Sequence, residues 1–301
     1  MTNNFKDNLN AQRQRFIEVF EDTKARCTDS SLDLDFSTET LSAIARTKVY
    51  NVDAFKDIFS AHKTDTLPNN VTVTNHRTFE AAQILKRANP EAKVAVLNFA
   101  SATNPGGGVL RGSSAQEECL CRASNLYPCL LLNYNAITLF YHPNNLEKNP
   151  LHNDKVIYSP EVTVFKTDDK SYNLLDRSDW YKVDVITCAA PNLREQPSNQ
   201  FNQGDGNVRA VVTDDELYKI HYSRANAIIR SAIDNNVDYL VLGAFGCGAF
   251  RNNPKVVAKA YYDILQIYRP FFKGVEFAVY CNSYEDINFK SFKDQFCTER
   301  N

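Results

Sequence analysis

Apolar residues along this chain occur in two patterns: short continuous runs and longer segments with roughly helical spacing. The run Val94–Phe99 is nearly all apolar, which is typical of a strand buried on both faces. Over Asp214–Asp234 the apolar residues recur at helical spacing, which predicts a helix. The same criteria predict strands at 71–74, 94–99, 155–165, 183–188, 239–242 and 275–281, and helices at 78–88, from about 115, at 214–234 and at 254–268.

The first 62 residues read as helical, with apolar clusters at 16–20 and within 37–58. Ser37 or Thr38 is a suitable N-cap for the second cluster. The turn-forming segment Thr66–Asn70 is the best internal boundary. We therefore expect residues 1–70 to be a helical accessory region packed on one main domain, residues 71–301. Alternating strands and helices in that domain predict an α/β fold with a sheet covered on both faces.

Composition narrows the class of protein. The chain has 301 residues, of which 43% are hydrophobic and 23% charged, so it can bury a large core and extensive disorder is excluded. Its 34 basic and 36 acidic residues give a net charge of −2, which argues against binding DNA through massed positive side chains. A polyanionic ligand is still compatible with this charge if backbone N–H groups hold it.

No segment approaches the ~18 consecutive apolar residues of a membrane span, and the polar N-terminus lacks the apolar core of a secretory signal. We expect a monomer in the cytoplasm, or in the nucleus if the source is eukaryotic. The eight cysteines include no CxxC, and Cys119 and Cys121 would point to different faces of a helix. The five histidines are scattered, so we expect neither a metal nor another cofactor.

A first glycine-rich loop follows the strand at 94–99. Asn104 and Pro105 lead into Gly106, Gly107 and Gly108, and a helix is predicted soon afterwards. Without Cβ atoms, such a segment can bring backbone N–H groups close to an anion or a sugar. It can also be a long flexible turn, but in open α/β sheets ligands bind where a strand passes into a helix.

The helix after this loop opens with Gln116, Glu117 and Glu118. Ser114 and Glu117 have the spacing of a capping box, which is one explanation for Glu117. That explanation does not require Glu118, which lies about 100° further round the helix. A carboxylate beside a glycine-lined ligand site is well suited to general acid–base catalysis, so a structural and a catalytic interpretation both stand.

A second glycine-rich loop, Gly243–Phe250, follows the buried strand 239–242. Asn253 and Pro254 have the pattern of an N-cap and a first helical residue, so the loop would direct N–H groups and a helix N-terminus at a phosphate. Phe245 and Phe250 either flank the ligand or pack in the core. Two such loops describe a site for a nucleoside diphosphate sugar, with the small residues of 188–192 offering a surface for a flat base.

The triplet Gly106–Gly108, followed after seven residues by Gln116–Glu118, resembles the signature of poly(ADP-ribose) glycohydrolases of the microbial type. The segments NFASATNPGGG, CRASNLYPCL, VITCAAPN and GAFGCGAFRNNP resemble the same family, over about residues 72–281. The resemblance implies a macrodomain-like fold, a three-layer α/β/α sandwich with a mixed, mostly parallel sheet and an N-terminal helical extension. It also implies hydrolysis of the ribose–ribose O-glycosidic bonds of poly(ADP-ribose).

By motif position, the resemblance implies that Glu118 is the catalytic acid and base and that Glu117 positions the substrate. The substrate-binding residues it implies are Asn104, Gly106, Gly107, Gly108, Val109, Gln116, Gly246, Cys247, Gly248, Ala249 and Phe250. The substrate would be poly(ADP-ribose) or an ADP-ribosylated protein, and ADP-ribose the product. The alternatives are an ADP-ribose-binding module without turnover and a hydrolase of mono-ADP-ribosyl conjugates. An NAD(P)-dependent oxidoreductase ranks lower, because no G-x-G-x-x-G follows a first strand.

Overall fold

A mixed sheet lies at the centre of the computed structural model, which describes residues 2–51, 71–199, 204–281 and 286–297. Seven strands of the described residues form it in the order β1-β4-β5-β3-β6-β7-β2. Strands β5, β3, β6, β7 and β2 run parallel to one another. At one edge, β4 pairs antiparallel with β5, and β1 pairs antiparallel with β4. The strands are β1 Lys48–Tyr50, β2 Val71–Thr74, β3 Val94–Phe99, β4 Val156–Val164, β5 Tyr181–Cys188, β6 Tyr239–Leu242 and β7 Gly274–Ala278.

Helices cover both faces of the sheet. Along β3, Val94 and Val96 pack against the first five helices, whereas Ala95 and Leu97 pack against the last three, as the two-residue period of a strand requires. The predicted three-layer α/β/α arrangement is therefore confirmed. The helices are α1 Thr2–Thr28, α2 Leu34–Arg46, α3 Thr78–Ala88, α4 Gln116–Ala123, α5 Leu126–Leu132, α6 His142–Glu147, α7 Asp214–Asp234, α8 Pro254–Tyr268 and α9 Ile287–Cys297.

After residue 70 the predicted elements agree with the structure to within about three residues, and the helical periods of α3, α7 and α8 are matched at both ends. The sequence pattern did not predict α5, α6 and α9. Helices α5 and α6 are only seven and six residues long, too short to display a helical period.

The sequence pattern predicts helix over residues 1–62, but part of this region is a strand. Lys48–Tyr50 forms β1, which pairs antiparallel with β4 and extends the sheet. Val49 and Tyr50 have side chains suited to a strand, and the partner that selects this conformation is more than 100 residues away along the chain. The N-cap of α2 is Asp33, which accepts a hydrogen bond from the N–H of Phe36 at 2.8 Å, and not Ser37 or Thr38. The predicted turn Thr66–Asn70 lies outside the described residues.

The parallel strands bring five connections to one edge of the sheet. The segments that follow β2, β3, β5, β6 and β7 all start at the carboxyl ends of these strands. In open α/β sheets this edge is where ligands bind. The two glycine-rich loops, after β3 and β6, belong to neighbouring strands and therefore meet there.

Candidate active site

A cavity of about 460 Å³ opens at this edge, between the two glycine-rich loops. Its lining includes Gly107 and Gly108 of the first loop, Glu117 and Glu118 at the start of α4, and residues 244–246 and 248–250 of the second loop. Sequence-predicted residues from three separate stretches of chain thus lie around one space.

The first glycine loop needs glycine for two physical reasons. Gly106 and Gly107 have φ angles of +71° and +58°, in the left-handed region that side chains disfavour. A Cβ at Gly107 would lie 2.6 Å from Oε1 of Glu118 and 3.0 Å from Oε2 of Glu117. The loop therefore passes directly against both carboxylates, which no larger residue would allow.

Glu118 has one fixed and one unpartnered carboxylate oxygen. Its Oε1 accepts a hydrogen bond from the N–H of Gly108 at 2.8 Å. Its Oε2 is buried and has no hydrogen-bond partner among the described residues, and the side chain lines the cavity. Only 6% of the residue is exposed. An unpaired buried carboxylate oxygen is costly, which is typical of an atom that meets a ligand.

Glu117 is held on the opposite side, by β3 and the residues after it. Its Oε2 accepts a hydrogen bond from the N–H of Ser101 at 2.7 Å, and Oε1 accepts one from the side-chain amide of Asn98 at 3.4 Å. Burial, and next the charge of Glu118, raise the pKa of Glu117 well above its ordinary value, although these hydrogen bonds oppose the rise.

The capping-box explanation of Glu117 is wrong. The N-cap of α4 is Ala115, which has no side chain able to cap, and no side-chain hydrogen bond is made at this position. The carboxylate of Glu117 instead bonds to Ser101 and Asn98, because the helix start is pressed against the end of β3. Glu117 is therefore a residue of the cavity wall.

Gln116 also reaches back to β3, and its side chain is fully engaged. Its Oε1 accepts a hydrogen bond from the N–H of Phe99 at 2.8 Å. Its Nε2 donates to the carbonyl of Leu97 at 2.8 Å and to the hydroxyl of Thr78 at 3.0 Å. Gln116 lines the cavity, but these bonds make it a clamp between β3, α3 and α4.

The second glycine loop has one constrained glycine and one open one. Gly246 has a φ of +77°, and a Cβ there would lie 2.6 Å from the Cβ of Ala190. Around Gly248 a Cβ would meet nothing within 4 Å. Backbone hydrogen bonds among the described residues do not use the N–H groups of Gly248, Ala249 and Phe250, so these donors are available to a ligand. As predicted, Asn253 caps α8 and Pro254 is its first residue.

The two phenylalanines of this loop differ. Phe245 also borders the cavity, but it is fully buried in the core, with its ring centroid 5.8 Å from that of Phe99, so the core-packing interpretation holds for it. Phe250 is only partly buried and lines the cavity. The guanidinium of Arg194 lies 5.5 Å from the Phe250 ring centroid, within cation–π range.

Four residues that the resemblance assigned to substrate binding do not line the cavity. Val109 is fully buried in the core, and a Cβ at Gly106 would lie 2.7 Å from the ring of Tyr127. The backbone carbonyl of Asn104 accepts the N–H of Gly107 at 2.9 Å, and the N–H of Cys247 donates to Ala244 at 3.1 Å. These four residues therefore stabilise the conformations of the two loops without facing the cavity.

Sequence reasoning missed a charged group at another wall of the cavity. Arg77 and Asp168 both line it and are joined by a bond of 3.1 Å between Nε and Oδ1. Asp168 also accepts the N–H of Phe79 at 3.0 Å, and Arg77 lies 5.2 Å from the ring centroid of Tyr280. The chain contains no motif for this group, because its members are 91 and 203 residues from Arg77 along the sequence.

Residues 14–167 match the model of the family described as microbial-type PARG, catalytic domain. That match covers about half of the chain and includes the first glycine loop with Glu117 and Glu118. The chain belongs to the microbial-type poly(ADP-ribose) glycohydrolase family. It is therefore a glycosidase by family, and the predicted family is confirmed.

Solved structures of poly(ADP-ribose) glycohydrolases are similar over nearly the whole chain. The enzyme of Thermomonospora curvata, bound to the inhibitor ADP-HPD, is 31% identical with a TM-score of 0.72, covering 95% of this chain and 98% of its own. The enzyme of Deinococcus radiodurans, in complex with ADP-ribose, is 29% identical with a TM-score of 0.69, covering 86% and 97%. No protein with a curated description gives a significant match.

Proposed function

We propose that this protein hydrolyses the ribose–ribose O-glycosidic bonds of poly(ADP-ribose) and releases ADP-ribose, with Glu118 as the general acid and base. Family membership supports the reaction class. The observation that carries the residue assignment is the Glu118 carboxylate, with one oxygen fixed by Gly108 and the other unpartnered at the cavity.

The proposed reaction has two proton transfers at the same oxygen. Protonated Glu118 gives its proton to the leaving ribose oxygen while the C–O bond breaks and positive charge develops on the sugar. The resulting carboxylate then takes a proton from the water that adds to the anomeric carbon. Proton transfer of this kind typically accelerates a reaction by ~10²–10⁴-fold.

A second carboxylate nucleophile is not part of this proposal. Both oxygens of Glu117 already accept hydrogen bonds, which suits a residue that positions the substrate and the loop. The diphosphate of the substrate, held by the free N–H groups of the second glycine loop and the N-terminus of α8, would supply negative charge beside the developing cation. Phe250 would pack on the ribose and orient it.

The substrate site needs no metal in this proposal. Among the described residues, no group of three or more His, Cys, Asp and Glu side chains is placed to share a metal ion. In the same part of the chain, no helix has the length and apolar character needed to cross a membrane. We further propose that polymer or ADP-ribosylated protein is bound at this one cavity, without direct binding to DNA.

The proposal is tested with wild type, Glu118→Gln and Glu117→Gln incubated with poly(ADP-ribose). We expect Glu118→Gln to lose ~10²–10⁴-fold in kcat while it still binds ADP-ribose, because the amide keeps the shape but cannot transfer the proton. Released ADP-ribose is measured by chromatography, and binding separately by calorimetry. Glu91→Gln is the matched control, because Glu91 is exposed and precedes β3, at the opposite edge of the sheet.

Three outcomes would change the proposal. Equal release by wild type and Glu118→Gln would remove Glu118 from the mechanism. Binding of ADP-ribose by all variants without release by wild type would identify a binding module. Release of ADP-ribose from mono-ADP-ribosylated protein but not from polymer would identify mono-ADP-ribosyl conjugates as the substrate.

A further inference from the structure

Helix α1 lies directly against the catalytic loop. Gly112, between the first glycine loop and α4, has a φ of +70°, and a Cβ there would lie 2.4 Å from the backbone carbonyl oxygen of Arg13 in α1. This approach is closer than any side chain would permit. The backbone of α1 therefore limits where the chain between Gly108 and Gln116 can lie.

A second contact runs through aromatic rings. Phe20 of α1 is fully buried and packs edge-to-face on Tyr127, with 4.9 Å between the ring centroids. The other side of Tyr127 meets Gly106, where a Cβ would lie 2.7 Å from the ring. Phe20 thus supports the glycine loop through one intervening ring.

The third contact is a buried cation. Arg122, in α4 and one turn after Glu118, is fully buried, and the ion pairs of the described residues do not include it. Its guanidinium lies 4.5 Å from the ring centroid of Phe16 in α1 and 5.1 Å from that of Tyr172. Thr23 of α1 donates a hydrogen bond to the Arg122 carbonyl at 2.6 Å. Two aromatic faces and α1 therefore hold this cation in place.

A continuous chain of hydrogen bonds connects Arg122 with the catalytic carboxylate. Nη1 of Arg122 donates to the carbonyl of Ser113 at 2.7 Å, and the N–H of Ser113 donates to the carbonyl of Gly108 at 3.2 Å. The N–H of Gly108 donates in turn to Oε1 of Glu118 at 2.8 Å. The carbonyl and the N–H of Ser113, and likewise those of Gly108, belong to adjacent peptide groups. The three bonds therefore fix the backbone on both sides of these two residues, and with it the N–H that Glu118 accepts.

We propose that Arg122 is a positioning residue for Glu118, and that helix α1 holds Arg122 in its working orientation. The inference rests on the proposed function, because it assigns Arg122 to the geometry of that acid and base. Arg122 does not line the cavity, so its effect passes through Ser113 and Gly108 to the carboxylate. It also gives α1 a role in catalysis beyond packing.

The test uses the full-length protein with Arg122→Met, Arg122→Lys and Phe16→Leu, and Arg87→Met as control. Arg87 is an exposed residue of α3 that takes no part in the contacts described above, so the same substitution there leaves the proposed chain intact. Methionine keeps the apolar bulk of Arg122 but has no donor, and replacing a buried charge in this way often preserves stability. The measurements are kcat, KM, thermal unfolding, and hydrogen exchange of the Gly108 amide by NMR.

We expect Arg122→Met to lower kcat by about 10–100-fold with KM changed by less than about threefold, since misplacing a reacting group acts mainly on the chemical step. The Gly108 amide should exchange roughly tenfold faster, because the bond to Glu118 is no longer held. Arg122→Lys, which retains a donor and a cation, should recover most of kcat. Phe16→Leu keeps Arg122 but removes one of its aromatic contacts, so it should give an intermediate loss of kcat. It replaces Arg122→Met as the test variant if that protein does not fold.

Wild-type values of kcat and Gly108 exchange in Arg122→Met would overturn the proposal. So would a loss of kcat that Arg122→Lys does not rescue and that leaves Gly108 exchange unchanged. If wild type itself releases no ADP-ribose, the proposed function fails. Faster Gly108 exchange in Arg122→Met, absent in Arg87→Met, would still establish that Arg122 positions the carboxylate.

Discussion

At the scale of single residues, the site depends on where side chains are absent. Gly107 brings the backbone against Glu117 and Glu118, with a left-handed φ of +58°. Gly248 in the second loop has open space where its Cβ would be. The two glycines are equally prominent in the sequence, but only the contacts show that one is sterically required.

We predict that Gly107→Ala destabilises the protein by ~1–3 kcal/mol, from backbone strain and the collision with the buried carboxylates. The displaced Glu118 should lower kcat as well. Gly248→Ala should change the free energy of unfolding by less than ~0.5 kcal/mol. Urea unfolding of both variants checks this, and equal stabilities would show that the Glu118 carboxylate moves aside without cost.

His221 is a buried histidine that belongs to no sequence motif, so its role is visible only in the structure. Its Nε2 lies 2.7 Å from Oδ1 of Asn252, whose amide donates to the carbonyls of Pro191, Gly246 and Phe250. Because that amide nitrogen donates, Oδ1 must accept, and Nε2 of His221 carries the proton. Burial lowers the pKa of His221 to about 3, against the opposing effect of the Asn252 hydrogen bond.

The lowered pKa predicts how stability depends on pH. The unfolded chain binds a proton at His221 below pH ~6.5, whereas the folded chain does not until about pH 3, so stability falls as the pH drops between these values. From pH 7 to pH 5 this residue should account for a loss of ~2 kcal/mol. His221→Gln should remove that part of the slope in denaturant unfolding. His142→Gln, at an exposed histidine, should keep the wild-type slope.

At the scale of elements, α4 is positioned by its surroundings. It has eight residues and no side-chain N-cap, so its own sequence gives it little stability. Gln116 clamps its first turn to β3 and α3, and Glu117 fixes it to the segment after β3. The end of this helix that carries Glu117 and Glu118 is therefore part of the sheet edge.

Gln116→Met should destabilise the protein by ~2–4 kcal/mol, because methionine fills the same space but leaves the Phe99 N–H and the Thr78 hydroxyl without this partner. Gln266→Met is the matched control on α8, where the glutamine is exposed and bonds only to the Tyr262 carbonyl in its own helix. Urea unfolding measures both. A loss below ~0.5 kcal/mol for Gln116→Met would mean that water replaces the amide and that the clamp is dispensable.

Elements with a long or continuous apolar pattern could be predicted from the sequence, whereas strand β1 could not. Strands β3 and β6 and helices α7 and α8 are long or continuous enough for their apolar pattern to be decisive. Strand β1 is three residues long and lies in a region that the sequence pattern predicts to be helical, because its pairing with β4 is a contact between distant parts of the chain. Short elements are selected by such partners more than by local pattern.

At the scale of the whole molecule, the charge predicts how a polyanion is held. The net charge of −2 argues against a broad positive surface, while the cavity offers N–H groups and the side chains of Arg77 and Arg194. If the protein binds one ADP-ribose unit of the polymer at a time through these groups, few of its side chains form ion pairs with phosphate. The proposed function thus implies that the polymer is recognised through contacts within one cavity.

We therefore predict a weak salt dependence of substrate binding. Between 50 and 200 mM salt, KM for poly(ADP-ribose) should rise by less than about tenfold, whereas a protein that contacts six to ten phosphates loses ~10³–10⁵ in affinity. Fluorescence anisotropy with a DNA duplex should show no binding under the same conditions. A steep salt dependence, or competition by DNA, would indicate a positively charged polymer track outside the cavity.

By itself, the sequence determined the elements with strong local patterns, the two glycine loops, the paired glutamates and the family to which they point. These features depend on residues that are close together in the chain. Local steric effects and the period of apolar residues can therefore be inferred directly from the sequence. Only the tertiary structure decided that Glu117 is held by Ser101 and Asn98, that Phe245 packs in the core while Phe250 faces the cavity, and that Arg122 connects α1 with Glu118. Those contacts join residues far apart in sequence, so their energies exist only once the sheet has brought the segments together.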